Sequence, residues 1–304
     1  MVYEYAIDPT ILNDWQRLRF IADAAGVSRG RLISEFPGSW RRTVVRSFDG
    51  KFGVERAKLE AQFQRITPHL IPSGGRICSG KDAPWLVHAE VAHASSPFRA
   101  IVAGENPRTH PSVLIIDDID AFTELWKTSH SIPVRRDATS MADTACLLLQ
   151  IASDIVFVDP NFRPSDRFLR PFEQFLLHCA GNRGRAVPRI RLIVEHKDAK
   201  SGDVLEQNFR ASLAPLIPNS LKCELVRVSE KNSPSEKLHN RYVLTELGGI
   251  DFGIGLDDDR GDGGQSDDVH LLEKDHFDKR WHQYAMMEGF NVVAPSAIIV
   301  GSKK

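Results

Sequence analysis

His239 and Arg241 stand two apart in the run Lys237-Leu-His-Asn-Arg-Tyr-Val-Leu-Thr245, and there the chain offers the ingredients of a specific reaction. If the run is extended, residues two apart leave the same face, so an imidazole and a guanidinium share one surface. The imidazole is a neutral nucleophile at pH 7, and the guanidinium is a cation that stays charged. A phosphodiester needs both, because its transition state concentrates negative charge on the phosphoryl oxygens. Arg241 can grip those oxygens in bidentate fashion. Gly248-Gly249 reads as a tight turn, and Ile250 to Leu256 as a returning strand in which Gly253 and Gly255 let a phosphate approach the backbone closely.

Those residues come near the end of a series of alternating elements. Ala138 to Ala152 reads as an apolar-rich helix, and Asp154 to Asp159 as a short buried strand closed by Pro160. Arg167 to Cys179 carries Phe168, Leu169, Phe172, Phe175 and Leu176 at helical spacing. Arg189 to Val194, Asp203 to Leu216 and Lys222 to Val228 read as strand, helix and strand. The pair His239 to Thr245 and Ile250 to Leu256 follows, then a helix near His276 to Met287 and a strand at Asn291 to Val300. Strands alternating with helices predict an α/β fold, a mixed or parallel sheet covered by helices on both faces.

This order, together with His239-x-Arg241-x4-Glu246 and the glycines Gly253 and Gly255, resembles one half of the phospholipase D superfamily, whose signature is His-x-Lys-x4-Asp before a glycine-rich strand. Here arginine stands for lysine and glutamate for aspartate, and the resemblance implies that Glu246 orients the histidine or the arginine. Asp159-Pro160-Asn161-Phe162 is similar to the turn that ends an early strand of that fold. The resemblance covers residues 135 to 304 and supplies one motif. It implies a metal-independent phosphodiesterase, with no cofactor, in which one histidine attacks phosphorus and a second, from another copy of the motif, protonates the leaving group. With a single motif, it implies a homodimer with the site across a two-fold axis, or a degenerate first half; the dimer is expected. It further implies a nuclease or effector, as in bacterial defence against foreign DNA within a complex of other proteins. The alternative is a non-catalytic phosphate- or nucleic-acid-binding module of a larger assembly.

Composition sets the frame. With 304 residues, 42% of them hydrophobic, the chain can build one large or two ordinary cores. The formal net charge is −1, so nucleic acid would have to meet a local patch. The four cysteines, Cys78, Cys146, Cys179 and Cys223, form no CxxC and suit a reducing cytoplasm. No signal peptide is read at the N-terminus, and no apolar run approaches the ~18 residues of a membrane span.

Residues 1–130 are expected to form an N-terminal α/β domain or a degenerate half-copy of the C-terminal fold, with helices at Asn13 to Ala25 and Glu55 to Ile66 and strands at Phe98 to Ala103 and Val113 to Ile116. Between residues 29 and 56, Arg29, Arg31, Arg41, Arg42, Arg46, Lys51 and Arg56 surround Trp40 and Phe48, a mixture that could grip a nucleic-acid backbone while rings stack on bases, or be a solvated face over core aromatics. Gly75 to Asp82 nearly matches a phosphate-binding GxxxxGK[ST] loop, with Val113 to Asp118 as a strand ending in acids. Asp82 in place of the magnesium-binding hydroxyl argues against a P-loop-type nucleotide binder. His88, Glu90 and His93 lack the spacing of a zinc helix. Asp257 to Asp268 reads as a mobile acidic loop that could gate the site. His196 ends a strand without motif context.

Overall fold

A computed structural model describes residues 1–80, 83–181, 186–196, 202–231, 237–259, 264–293 and 295–303. Lys81 and Asp82 of the phosphate-loop-like run, Lys197, Asp198 and residues 260–263 lie outside them. The chain divides into two compact units, Val2–Ser129 and His130–Lys304. The described residues are α/β throughout, with sheets flanked by helices.

The first unit runs β1 (Tyr3–Ile7), α1 (Trp15–Ala24), β2 (Arg31–Ser34), α2 (Trp40–Ser47), α3 (Gly53–Ile66), β3 (Leu70–Ile71), α4 (Trp85–Ser95), β4 (Ala100–Ala103) and β5 (Val113–Ile115). Its strands are all parallel, in the order β3-β2-β1-β4-β5. Apolar side chains lie on both faces of the sheet. Ile7, Ile33 and Val102 belong to one core with Trp40, Phe48 and Leu59, whereas Ala6, Ile101 and Ala103 belong to another with Phe36, Leu86 and Phe98. Trp40 is fully buried and Phe48 is 1% exposed, so neither ring of the basic stretch can stack on a base.

The second unit runs β6 (Ser131–Arg135), α5 (Ala138–Ile151), β7 (Asp154–Val158), α6 (Asp166–Ala180), β8 (Arg189–Glu195), α7 (Gly202–Leu213), β9 (Lys222–Ser229), β10 (Tyr242–Thr245), β11 (Gly248–Asp251), β12 (Ser266–Leu271), α8 (Lys274–Arg280), β13 (Asn291–Val292) and β14 (Ala297–Val300). A π-helical turn, Trp281–Ala285, continues α8. The sheet order is β13-β9-β8-β7-β10-β11-β12-β6, with β14 also on β9. β7, β8 and β9 are parallel, and every other pairing is antiparallel, which makes the sheet mixed.

Apolar periodicity explains α6. Phe168, Phe172, Phe175, Leu176 and Cys179 are buried along one stripe, and Phe157 of β7 packs against Phe172 and Phe175 at 5.2 and 5.4 Å between ring centroids. Each such ring removed from water contributes about 1.5–3 kcal/mol. On the other face Val156, Val158, Tyr242 and Leu244 meet Phe277 and Tyr284 of the closing helical segment. Successive strand residues point to opposite faces, so Phe157 and Asp159 face α6 while Val156 and Val158 face α8.

Two sequence expectations change. The strand pair is shorter than read: β10 begins at Tyr242, not His239, and the two-residue turn is Glu246-Leu247, with Thr245 opposite Gly248. Gly249 is a packing position in β11, since a Cβ there would meet Leu244 Cδ2 at 2.6 Å and Leu272 Cδ1 at 2.9 Å. The acidic segment is also not a mobile loop over its whole length. Asp257 and Asp258 are buried, at 5% and 3% exposure, and Ser266–Leu271 is a strand.

Candidate active site

Antiparallel pairing of β10 with β7 brings the start of β10 to the carboxyl edge of the three parallel strands. Open α/β sheets bind ligands at that edge. Tyr242 is opposite Val158, so Arg241 follows opposite Asp159, and both leave the sheet on the α6 face. Phe252, on the same face, donates its N–H to the Arg241 carbonyl (3.0 Å), and its ring meets Phe175 edge-on at 5.8 Å.

Asp159 is wholly buried. Its Oδ1 accepts from the Asn161 N–H (2.9 Å) and its Oδ2 from the Leu256 N–H (3.0 Å). Burial raises its carboxyl above the ordinary range, against the opposing pull of those two N–H groups and of Arg241 and Arg163. Arg241 Nε stands 3.9 Å from Asp159 Oδ1, beyond hydrogen-bond reach, and is buried without a hydrogen-bond partner. Its Nη1 donates to the His239 carbonyl (2.7 Å) and lies 3.4 Å from His239 Nδ1. The His239 ring is exposed. The edge therefore carries an accessible imidazole beside a guanidinium anchored by its own chain, with one donor still open.

A second polar layer fixes the segment after β11. Pro171 inside α6 has no N–H, which leaves the Arg167 carbonyl without its helical partner. That carbonyl accepts from the Asp258 N–H (2.9 Å) instead. Arg170 grips the Asp258 carboxylate with two bonds of 2.8 Å, while Arg136 and Arg167 both bind Asp257.

The remaining expected site residues lie elsewhere. Glu246 sits at the far end of β10, where its carboxylate accepts from Ser153 N–H (2.7 Å), Ser153 Oγ (2.8 Å) and Asp154 N–H (3.0 Å). It caps the start of β7 and orients neither His239 nor Arg241. Gly253 and Gly255 lie beyond β11, not within a strand, and their amides are engaged by Asp251 Oδ1 (2.8 Å) and the Phe252 carbonyl (3.1 Å). Gly255 is needed for close approach, because a Cβ there would stand 2.3 Å from Asp257 Oδ1. Asp159 and His196 are the members of this edge that motif reading passes over: each looks like an ordinary strand end in the sequence, and the parallel ladder is what gathers them.

Other candidates resolve into separate partnerships. Arg76, in the phosphate-loop-like run, is buried and bound to both carboxylate oxygens of Glu4, and Asp117 pairs with Arg17. His88 meets Ser79 (2.8 Å), Glu90 meets Arg108 (2.7 Å), and His93 stacks edge-on against His110. Among the described residues no group of three or more His, Cys, Asp or Glu is arranged to hold a metal ion. No helix among them is long and apolar enough to cross a membrane.

No family model matches this sequence, and no curated protein matches it. A solved structure of TrmBL2, an archaeal chromatin protein reported to show a novel mode of DNA binding, aligns at 9% identity over 52% of this chain and 54% of its own, with a TM-score of 0.25. The chain thus spans about half the length of that protein. The score lies below that of a shared fold.

Proposed function

We propose that the His130–Lys304 unit is a phosphodiesterase of phospholipase D-like fold that acts on nucleic acid. His239 is its nucleophile and Arg241 its phosphate clamp. The observation that carries this reading is the open, buried Nε of Arg241 beside the exposed His239 ring, at the carboxyl edge of the parallel strands. A buried donor without an acceptor costs about 1–3 kcal/mol, and a phosphoryl oxygen is an acceptor that would relieve that cost. The exposed Arg163, close enough to Asp159 to act on its carboxyl, adds a second cation beside Arg241, which suits a sugar–phosphate backbone. The buried Cys179 and Cys223 are free thiols, in keeping with a reducing cytoplasmic setting. An effector acting on foreign DNA, alone or with partner proteins, is the role that the resemblance implies.

One observation favours the second reading, a non-catalytic phosphate-binding module. Among the described residues, the hydrogen-bond contact of His239 Nδ1 is with a guanidinium, not with the carboxylate that would turn the other ring nitrogen into a better nucleophile. Single- and double-stranded DNA incubated with the protein in EDTA separates the two. Cleavage by wild type that survives chelation and disappears in His239→Ala supports the enzyme. Binding without cleavage, weakened by Arg241→Ala, supports the module.

A further inference from the structure

Trp40 and Phe48 are core residues, but a third ring of the basic stretch is not. Phe52 is 80% exposed, and Val54, two residues on, is 72% exposed. Packing does not account for them, because Phe48 is already the ring that closes the core here, edge-on against Phe63 of α3 at 6.2 Å between centroids. Two apolar side chains left in water in one turn mark a surface that meets something. Gly50 and Gly53, both left-handed (φ +87° and +58°), flank Lys51-Phe52 and turn the chain outward between α2 and α3.

The same surface carries unpaired positive charge. α2 buries Trp40 and Val44 and so leaves Arg42, Val45 and Arg46 exposed, at spacings of three and four that make them neighbours. Arg41, Lys51 and Arg56 are engaged by Glu35, Glu55 and Glu60, whereas Arg42 and Arg46 have no carboxylate partner among the described residues. Residues 35–65 hold seven Lys and Arg against four Asp and Glu, Asp49 among the latter, so this part of a chain with net charge −1 attracts anions. The Asp49 N–H donates to the Arg46 carbonyl (3.0 Å) and the Lys51 N–H to the Phe48 carbonyl (3.1 Å), which folds the turn directly onto the end of α2. Those bonds hold the Phe52 Cα within about 16 Å of the Arg46 Cα, well inside the roughly 4–16 nucleotides that a single-strand site covers.

We infer that the α2–α3 turn is a contact surface for single-stranded nucleic acid. Phe52 stacks on one base, and Arg42 and Arg46 pair with phosphates beside it. A base inside a duplex has both faces covered, so the ring needs an unpaired strand. An anionic lipid surface would meet the same charge, but Phe52, Val54 and Val45 together offer fewer carbons than one myristoyl chain, which alone holds a protein to a bilayer only marginally. The surface needs nothing from the chemistry of His239, which belongs to the other unit.

Fluorescence anisotropy of a labelled oligothymidine of about 20 nucleotides tests it, a length that exceeds one site. The full chain carries His239→Ala and Arg241→Ala, so that the other unit neither cuts nor clamps the strand. Adding Phe52→Ala is expected to weaken binding about 5- to 150-fold, the range for one lost stacking contact, with its salt dependence unchanged. Phe52→Trp should keep the affinity. Replacing Arg42 and Arg46 by alanine should flatten the slope of log affinity against log salt by about 1.4, at about 0.7 for each phosphate contact on a single strand. Phe122→Ala is the control: that ring is as exposed, at 81%, but stands among Asp118, Asp120 and Glu124, and its loss should change nothing. No binding of the strand, an affinity indifferent to Phe52, or the same loss on a duplex of equal length would overturn the inference. Binding to phosphatidylglycerol vesicles that Phe52→Ala abolishes, with none to the strand, would overturn it in favour of a lipid surface. None of these outcomes bears on cleavage, which wild type and His239→Ala decide in EDTA.

Discussion

Asp159 shows how one buried residue ties the candidate site together. It holds two backbone N–H groups, those of Asn161 at the end of β7 and Leu256 after β11, and it faces Arg241. Asp159→Ala would leave both N–H groups without their acceptor and the guanidinium without its counter-charge. At about 1–3 kcal/mol for each stranded donor, equilibrium denaturation should show a loss of several kcal/mol. The pH dependence follows from the raised carboxyl. A carboxyl whose folded pKa exceeds its unfolded value of about 3.9 contributes stability that is fully present below that value and is lost as pH rises through the folded pKa. Asp159→Asn cannot ionise, so the stability gap between wild type and this variant should narrow as pH rises across that window. A gap that widens would contradict burial as the dominant cause. At this scale the sequence is partly legible: the His239-x-Arg241 spacing places two groups on one edge, but Glu246 and the two glycines carry structural duties that spacing alone does not reveal.

Elements were legible where a single apolar pattern forms them. β7, β8 and β9 are short apolar runs bounded by helices, and α5 and α6 carry clear stripes, so their ends fall within a few residues of expectation. Those that escaped lack such patterns. β6 contains Pro133, which an outer strand tolerates, and β12 opens Ser-Asp-Asp, which reads as loop until pairing with β6 and β11 is known. α4 is apolar around most of its circumference, so it shows no helical stripe. Two predictions belong here. Glu246→Ala frees the Ser153 and Asp154 amides and should cost about 1–2 kcal/mol in a denaturant titration. It should leave any His239-dependent cleavage rate unchanged, because the carboxylate sits at the other end of β10. Gly255→Ala drives a Cβ into the Asp257 carboxylate, which cannot swing aside without leaving Arg136 and Arg167. Disturbing that buried pairing should cost on the order of 3 kcal/mol and, by shifting Leu256 off Asp159, weaken phosphate binding as well. Titration with inorganic phosphate, followed by the histidine ring resonances, would show unchanged affinity if the segment plays no part in the site.

At the scale of the molecule, each unit has its own sheet and its own buried ion pairs, and so its own points of failure. In Val2–Ser129 the critical pair is Glu4 with Arg76, whose side chains are 5% and 2% exposed and which share two hydrogen bonds. Arg76 also donates to the carbonyls of Ser73 and Ser96 and lies over the Phe98 ring at 4.0 Å, so it joins β1 to the segments on either side of α4. The near-match to a phosphate loop draws attention to Lys81, yet the residue of that run with a structural task is Arg76, and its partner is more than seventy positions earlier. Such a pairing is invisible without the fold. Removing one member of a buried pair strands the other, at a cost of about 3–5 kcal/mol. Glu4→Ala should therefore lower the unfolding free energy of the first unit by that amount, seen as faster amide exchange in β1, β2 and β4. Protection in β7, β8 and β9 should stay at the wild-type level, because no contact of Glu4 or Arg76 described above lies in the second unit. Loss of protection in both sheets at once would show that the two units unfold as one cooperative body and that stability in the His130–Lys304 unit depends on the first.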